Sequence, residues 1–163
     1  MSTGIKKLQE EHKFIKKKGI LATFGGTAAP IKKNYLHWFG NIEGPKNSPY
    51  EGGTFYFEMK FTDKYPEYGS VVDVQMRTPT YHPNITSRNG HICVSYMNEW
   101  KSEYSIAGIV NAIFELLKNP NPDSPYNSTD NKKARDFTLL YAKLDQNINW
   151  EQSWGKGWNN NPK

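Results

Sequence analysis

Cysteine is almost absent from this chain: among 163 residues, Cys93 alone carries a thiol. One thiol cannot close an internal disulfide, nor can it supply a cysteine-rich zinc site. No stretch approaches the roughly 18 apolar residues that a transmembrane helix requires, so no membrane partner is expected. Met1 to Lys18 is polar and lysine-rich and has no apolar secretory core, which places the expected protein inside the cell, in cytoplasm or nucleus. Asn84-Ile85-Thr86 and Asn127-Ser128-Thr129 match the glycosylation sequon, but without a signal peptide both read as chance. Internal repeats and linkers are also missing. The length suits one domain that buries roughly two thirds of its unfolded surface. A content of 36% hydrophobic and 14% aromatic residues excludes a disordered chain.

Acidic residues are outnumbered 16 to 21 by Lys and Arg, leaving a net charge of +5 and a pI near 9.1. Such a balance suits nucleic acid or an acidic partner, so the placement of the lysines decides. Lys6, Lys7, Lys13, Lys16, Lys17 and Lys18 share a segment in which Ile5, Leu8, His12 and Ile15 recur at helical spacing. That pattern predicts an amphipathic helix with one basic face. Zinc-finger, RNP-like and basic-zipper signatures are lacking, so no nucleic-acid partner is expected and the lysines read as a solvated face.

The period then changes to two. Phe55, Phe57, Met59 and Phe61 alternate with Thr54, Tyr56, Glu58 and Lys60, and Val72, Val74 and Met76 alternate with Asp73, Gln75 and Arg77. Both segments predict half-buried strands. Ile20 to Phe24 and Tyr35 to Ile42 are expected to be earlier strands. Gly44-Pro45-Lys46-Asn47-Ser48-Pro49 with Gly52-Gly53 reads as a chain reversal. A helix follows at Ile106, Ile109, Val110, Ile113, Phe114 and Leu117, stopped by Pro120 and Pro122. A further helix is expected to be capped at Ser128 or Thr129 and to carry Ala134, Phe137, Tyr141 and Leu144 inward. The order predicts an α+β fold: an N-terminal helix, a four-stranded antiparallel meander, a long loop, then a central helix and C-terminal helices on one face of the sheet. Residues 1–154 are expected to form the core and 155–163 a flexible tail.

Thr78 to Ser105 is an irregular stretch of a length that is usually functional. It holds His82-Pro83-Asn84, His91 and Cys93, with Trp100 beyond. A phosphatase loop would need arginine six residues past the cysteine, where Glu99 stands. Neither common cysteine-protease signature surrounds Cys93. A metal site built on His91 and Cys93 would lack further ligands, so no metal is expected. Taken alone, Cys93 reads equally well as a small apolar residue beside Ile92 and Val94.

Its context is distinctive. Tyr81-His82-Pro83-Asn84-Ile85, Gly90-His91-Ile92-Cys93, Trp100 and Asn119-Pro120-Asn121-Pro122-Asp123-Ser124-Pro125 resemble the ubiquitin-conjugating enzyme family in order and context. Leu36-His37-Trp38, Gly44-Pro45, Ser48-Pro49-Tyr50-Glu51-Gly52-Gly53-Thr54-Phe55 and Tyr65-Pro66 extend the resemblance over about Ile5 to Trp154. It implies the family's α+β fold and a transferase that needs no cofactor of its own. Cys93 would accept ubiquitin as a thioester from an activating enzyme in an ATP-dependent pathway, and a lysine or a ligase would then receive it. Two alternatives stay open: conjugation of another ubiquitin-like modifier, and a non-catalytic ubiquitin-binding adaptor.

The resemblance also assigns roles. Asn84 would stabilise the oxyanion, Ser124 with Asp123 would form the gate opposite the thiol, and His82 and Pro83 would support the loop. Lys6 and Lys7 would meet the activating enzyme, while Asn111 and Glu115 would contact the carried ubiquitin. Glu67, Lys101, Ser102 and Glu103 occupy the ligase-contact loops but replace the family's apolar and proline residues, leaving the ligase type undefined. Asn84 and Cys93 are nine residues apart, one more than the commonest family spacing, with the extra residue near Ser87-Arg88. A monomer is expected.

Overall fold

A computed structural model describes residues 2–19, 21, 25–87, 89–92, 100–101, 104–121 and 125–143. Helix α1, Thr3–Lys18, starts where the Ser2 hydroxyl accepts from the Ile5 N–H at 3.1 Å and ends at Gly19, whose φ of 58° is the left-handed turn that glycine adopts without strain. The buried stripe is Gly4, Leu8, Glu11 and Ile15, while all six lysines are exposed. Gly4 allows the closest approach: an added Cβ would lie 2.1 Å from the Asp63 carbonyl oxygen, so only glycine lets α1 rest on that loop.

Four strands form one antiparallel meander in the order β1-β2-β3-β4: β1 Thr27–Ile31, β2 Asn34–Glu43, β3 Thr54–Phe61 and β4 Val71–Met76. The first strand therefore differs from the expected Ile20 to Phe24. Leu21 lies in a 3₁₀ turn, and Ile20 and residues 22–24 fall outside the described residues. Thr27–Ile31 becomes a strand through its pairing, Thr27 opposite Asn41 and Ala29 opposite Phe39. It is an edge strand, which tolerates Pro30 because a missing N–H can face away from the ladder.

Alternation sorts β3 as expected. Phe55, Phe57, Met59 and Phe61 face the core, and Thr54, Tyr56 and Lys60 point to the other face. Glu58 shares that second face yet is only 3% exposed, held by His37 Nε2 at 2.8 Å. Helix α2, Ile106–Lys118, covers the core face with Ile106, Ile109, Val110, Ile113, Leu116 and Leu117. Phe114 is half-buried against it.

The last described helix, α3, spans Asn131–Phe137 and continues as a π-helical turn through Thr138–Ala142. Its cap is Asp130, whose carboxylate accepts from the Lys133 N–H at 2.9 Å, and not Ser128 or Thr129. The Ser128 hydroxyl is engaged elsewhere, 3.0 Å from the Tyr81 hydroxyl. Ala134, Thr138 and Ala142 are buried at intervals of four along it. Phe137 and Tyr141 are half-buried, and Leu144 lies outside the described residues.

Glu11 was not expected in the core. It is 8% exposed, and its Oε1 accepts from the Ile106 N–H at 2.8 Å, so a carboxylate of α1 caps the positive end of α2. Burial raises its pKa, with the Tyr65 hydroxyl, the Ile106 N–H and the charge of Lys7 acting against that rise.

Candidate active site

After β4 the chain turns across the end of the sheet, fixed by Thr78 Oγ1, which accepts from the Tyr56 N–H at 2.9 Å. The Tyr50 hydroxyl, buried in the core, donates to the Tyr81 carbonyl at 2.7 Å and anchors the start of the next loop. His82 is fully buried. Its Nε2 donates to the Leu116 carbonyl at 2.7 Å, and its Nδ1 accepts from the Asn84 N–H at 2.9 Å. The hydrogen bonds thus define one neutral tautomer. Burial pulls the pKa down to about 4 despite the opposing bond to Leu116, so the ring is uncharged at neutral pH.

Asn84 is 1% exposed and its carboxamide grips the main chain of Asn121. Nδ2 donates to the Asn121 carbonyl and Oδ1 accepts from the Asn121 N–H, both at 2.8 Å. The same crossing segment returns after residues 122–124. Tyr126 and Asn127 donate their N–H groups to the Pro83 carbonyl at 2.6 and 3.2 Å. Asn127 Nδ2 donates to the carbonyls of His82 and Ile85, each at 2.9 Å. Pro83 is buried beneath these contacts.

The loop then leads back to β4. Ile85 pairs antiparallel with Ile92, and the Ile92 N–H donates to the Val74 carbonyl at 3.1 Å. Beside that pairing the Thr86 N–H donates to the His91 carbonyl at 3.0 Å and the Gly90 N–H to the Thr86 carbonyl at 2.9 Å. Thr86 Oγ1 also bonds Asn89 Oδ1.

Of the expected site residues, the structure brings His82, Pro83 and Asn84 together in one buried loop. Cys93, Asp123, Ser124, Ser102 and Glu103 lie outside the described residues. Glu67 and Lys101 are exposed on neighbouring segments, joined by a hydrogen bond from Trp100 Nε1 to the Pro66 carbonyl at 2.8 Å. Asn111 and Glu115 share an exposed face of α2, four residues apart, and Lys6 and Lys7 lie exposed on α1. Sequence reasoning missed Asn121 as the partner of Asn84, and it missed Asn127. The signal for Asn127 was present but read otherwise, since it heads a sequon. Among the described residues no group of three or more His, Cys, Asp or Glu could hold a metal ion.

A family model described as ubiquitin-conjugating enzyme matches residues 7–146. The Caenorhabditis elegans ubiquitin-conjugating enzyme E2 1 is 37% identical over 131 residues, which is 80% of this chain and 66% of that protein. The Arabidopsis thaliana ubiquitin-conjugating enzyme E2 3 is 39% identical over 105 residues, 64% of this chain and 68% of that protein. The matches thus span about two thirds of either relative's length. A crystal structure of a Plasmodium yoelii protein described as a ubiquitin conjugating enzyme superposes with a TM-score of 0.76 at 29% identity, covering 89% of this chain and 99% of that one. The E2 domain of a Toxoplasma gondii ubiquitin conjugating enzyme gives 0.69 at 27% identity, covering 84% and 98%.

Proposed function

This chain belongs to the ubiquitin-conjugating enzyme family, and from that premise we propose that it accepts ubiquitin from an activating enzyme as a thioester on Cys93 and passes it to a lysine. The observation that carries this reading is the Ile85–Ile92 pairing, which joins the peptide after Asn84 to the peptide before Cys93.

In the loading step the Cys93 thiolate attacks the activating enzyme's thioester and expels that enzyme's thiolate. A free thiol with a pKa near 8.5 is a few per cent ionised at neutral pH, and the exchange needs no further activation. Discharge is harder. A lysine of pKa about 10.4 costs on the order of 4.6 kcal/mol to neutralise at pH 7, and its attack creates an oxyanion. Asn84 Nδ2 carries two N–H bonds. One is spent on Asn121, and the second is the donor assigned to that oxyanion. His82 takes no part in proton transfer, because both ring nitrogens are occupied and the ring is neutral. Ser124 and Asp123 act as the gate that orients the incoming amine. Lys6 and Lys7 meet the activating enzyme, Asn111 and Glu115 meet the carried ubiquitin, and the loops of Glu67 and Lys101 meet a ligase.

Incubation with an activating enzyme, ATP and ubiquitin, followed by a non-reducing gel, tests this. A ubiquitin adduct that collapses with thiol reductant is expected. Cys93→Ser should give a reductant-resistant oxyester and Cys93→Ala no adduct. An undiminished adduct in the alanine variant overturns the assignment, and an adduct formed only with another modifier replaces ubiquitin as the cargo.

A further inference from the structure

Nothing in the proposed mechanism uses Asn127, the first residue of the second sequon. Its Nδ2 nevertheless bridges two carbonyls of the active-site loop, His82 O and Ile85 O, at 2.9 Å each. The carbonyl between them in the chain, Pro83 O, accepts from the N–H groups of Tyr126 and Asn127. A two-residue segment thus satisfies three of the loop's carbonyls.

The two bridged residues are those that hold Asn84 in place. His82 accepts the Asn84 N–H on its Nδ1. Ile85 carries the pairing to Ile92, next to Cys93. We infer that Asn127 is a positioning residue for lysine discharge: by tying His82 to Ile85 it fixes the Asn84 carboxamide relative to the strand that leads into Cys93. A primary amide suits this task because one nitrogen carries two N–H bonds directed at two acceptors. A carboxylate of the same shape would aim lone pairs at both carbonyls, and a serine hydroxyl could serve only one.

The inference rests on the proposed function, since positioning Asn84 matters only if its amide meets the oxyanion. Loading exchanges one thiol for another and does not draw on that amide, so the two steps should separate. Misplacing a catalytic group by about 1 Å costs up to about a hundredfold in rate.

The test is single-turnover discharge of the purified ubiquitin thioester to free lysine, which counts only molecules that have folded and loaded. Asn127→Ala should load within about twofold of the unmodified chain but discharge about tenfold to a hundredfold more slowly. Asn127→Ser should retain part of the rate, and Asn127→Asp should lose the most. In an Asn84→Ala background, Asn127→Ala should slow discharge no further, because the group it positions is gone. Three results overturn the inference: near-normal discharge in Asn127→Ala, a multiplied loss in the double variant, or Asn127 variants that cannot load at all, which would make the role purely structural. Failure of the unmodified chain to load ubiquitin removes the proposed function instead, and no result with an Asn127 variant can mimic that.

Discussion

Acidification should destabilise this protein through His82. In the native loop Nδ1 accepts from the Asn84 N–H and Nε2 donates to Leu116 O, so a second ring proton would face a donor inside the core. Burial accordingly lowers the pKa from an ordinary 6.5 to about 4. Between those values the unfolded chain binds a proton that the native state does not. The His82 contribution is therefore complete above the unfolded pKa of about 6.5 and is lost as pH falls toward about 4. At about 1.4 kcal/mol for each tenfold change in proton affinity, the whole effect is about 3 kcal/mol, a large share of the roughly 5–15 kcal/mol that stabilises a typical domain. Urea unfolding at a series of pH values across this window measures it. The unmodified chain should lose stability with a slope approaching about 1.4 kcal/mol per pH unit from this one group. His82→Gln should be less stable at neutral pH, having lost the packed ring, but should lack that part of the slope. An identical slope in the variant, or a His82 imidazole seen by NMR to titrate near its ordinary value, would refute the argument.

Glu11 titrates in the opposite sense. Its raised pKa means that the native state holds the proton more tightly, so its contribution falls as pH rises through the native pKa. Glu11→Gln keeps an oxygen for the Ile106 N–H while removing the buried charge, so it should raise the melting temperature at neutral pH by an amount that shrinks on acidification. A lowered melting temperature would mean that the hydrogen bonds from Tyr65 and Ile106, with the attraction to Lys7, together outweigh burial. At the β1–β2 turn, Lys32 and Lys33 both have positive φ, 49° and 64°, in a two-residue hairpin that favours Asn-Gly. Replacing the pair with Asn-Gly should stabilise the protein by about 1 to 2 kcal/mol in denaturant unfolding, and no gain would show that the turn carries no such strain.

Much of the fold was legible because burial follows period. A residue spacing of two decides which side of a strand faces the core, so Phe55, Phe57, Met59 and Phe61 could be assigned without knowing their neighbours. The same holds for the stripe of α2. The loop His82-Pro83-Asn84 was legible from order and context, and so was the family. Less visible were features that depend on a distant partner. Thr27–Ile31 has little strand character of its own and is a strand because β2 pairs with it. Asp130 caps α3 while the better-placed Ser128 bonds to Tyr81. Glu11 stands in an apolar stripe, spaced with Leu8 and Ile15, and only the end of α2 explains a carboxylate there.

The site divides in the same way. Local sequence specifies a proline-containing loop with a histidine and an asparagine, and the chemistry of those side chains follows from their identity. What holds them comes from far along the chain: Asn84 is gripped by Asn121, 37 residues on, and His82 by Asn127, 45 residues on. Hydrogen bonds of that separation leave no periodicity, because loop segments that cross in space have no common spacing in sequence. The sequence alone therefore identified the loop and its chemistry, while the tertiary fold decided how rigidly, and by which residues, that loop is held.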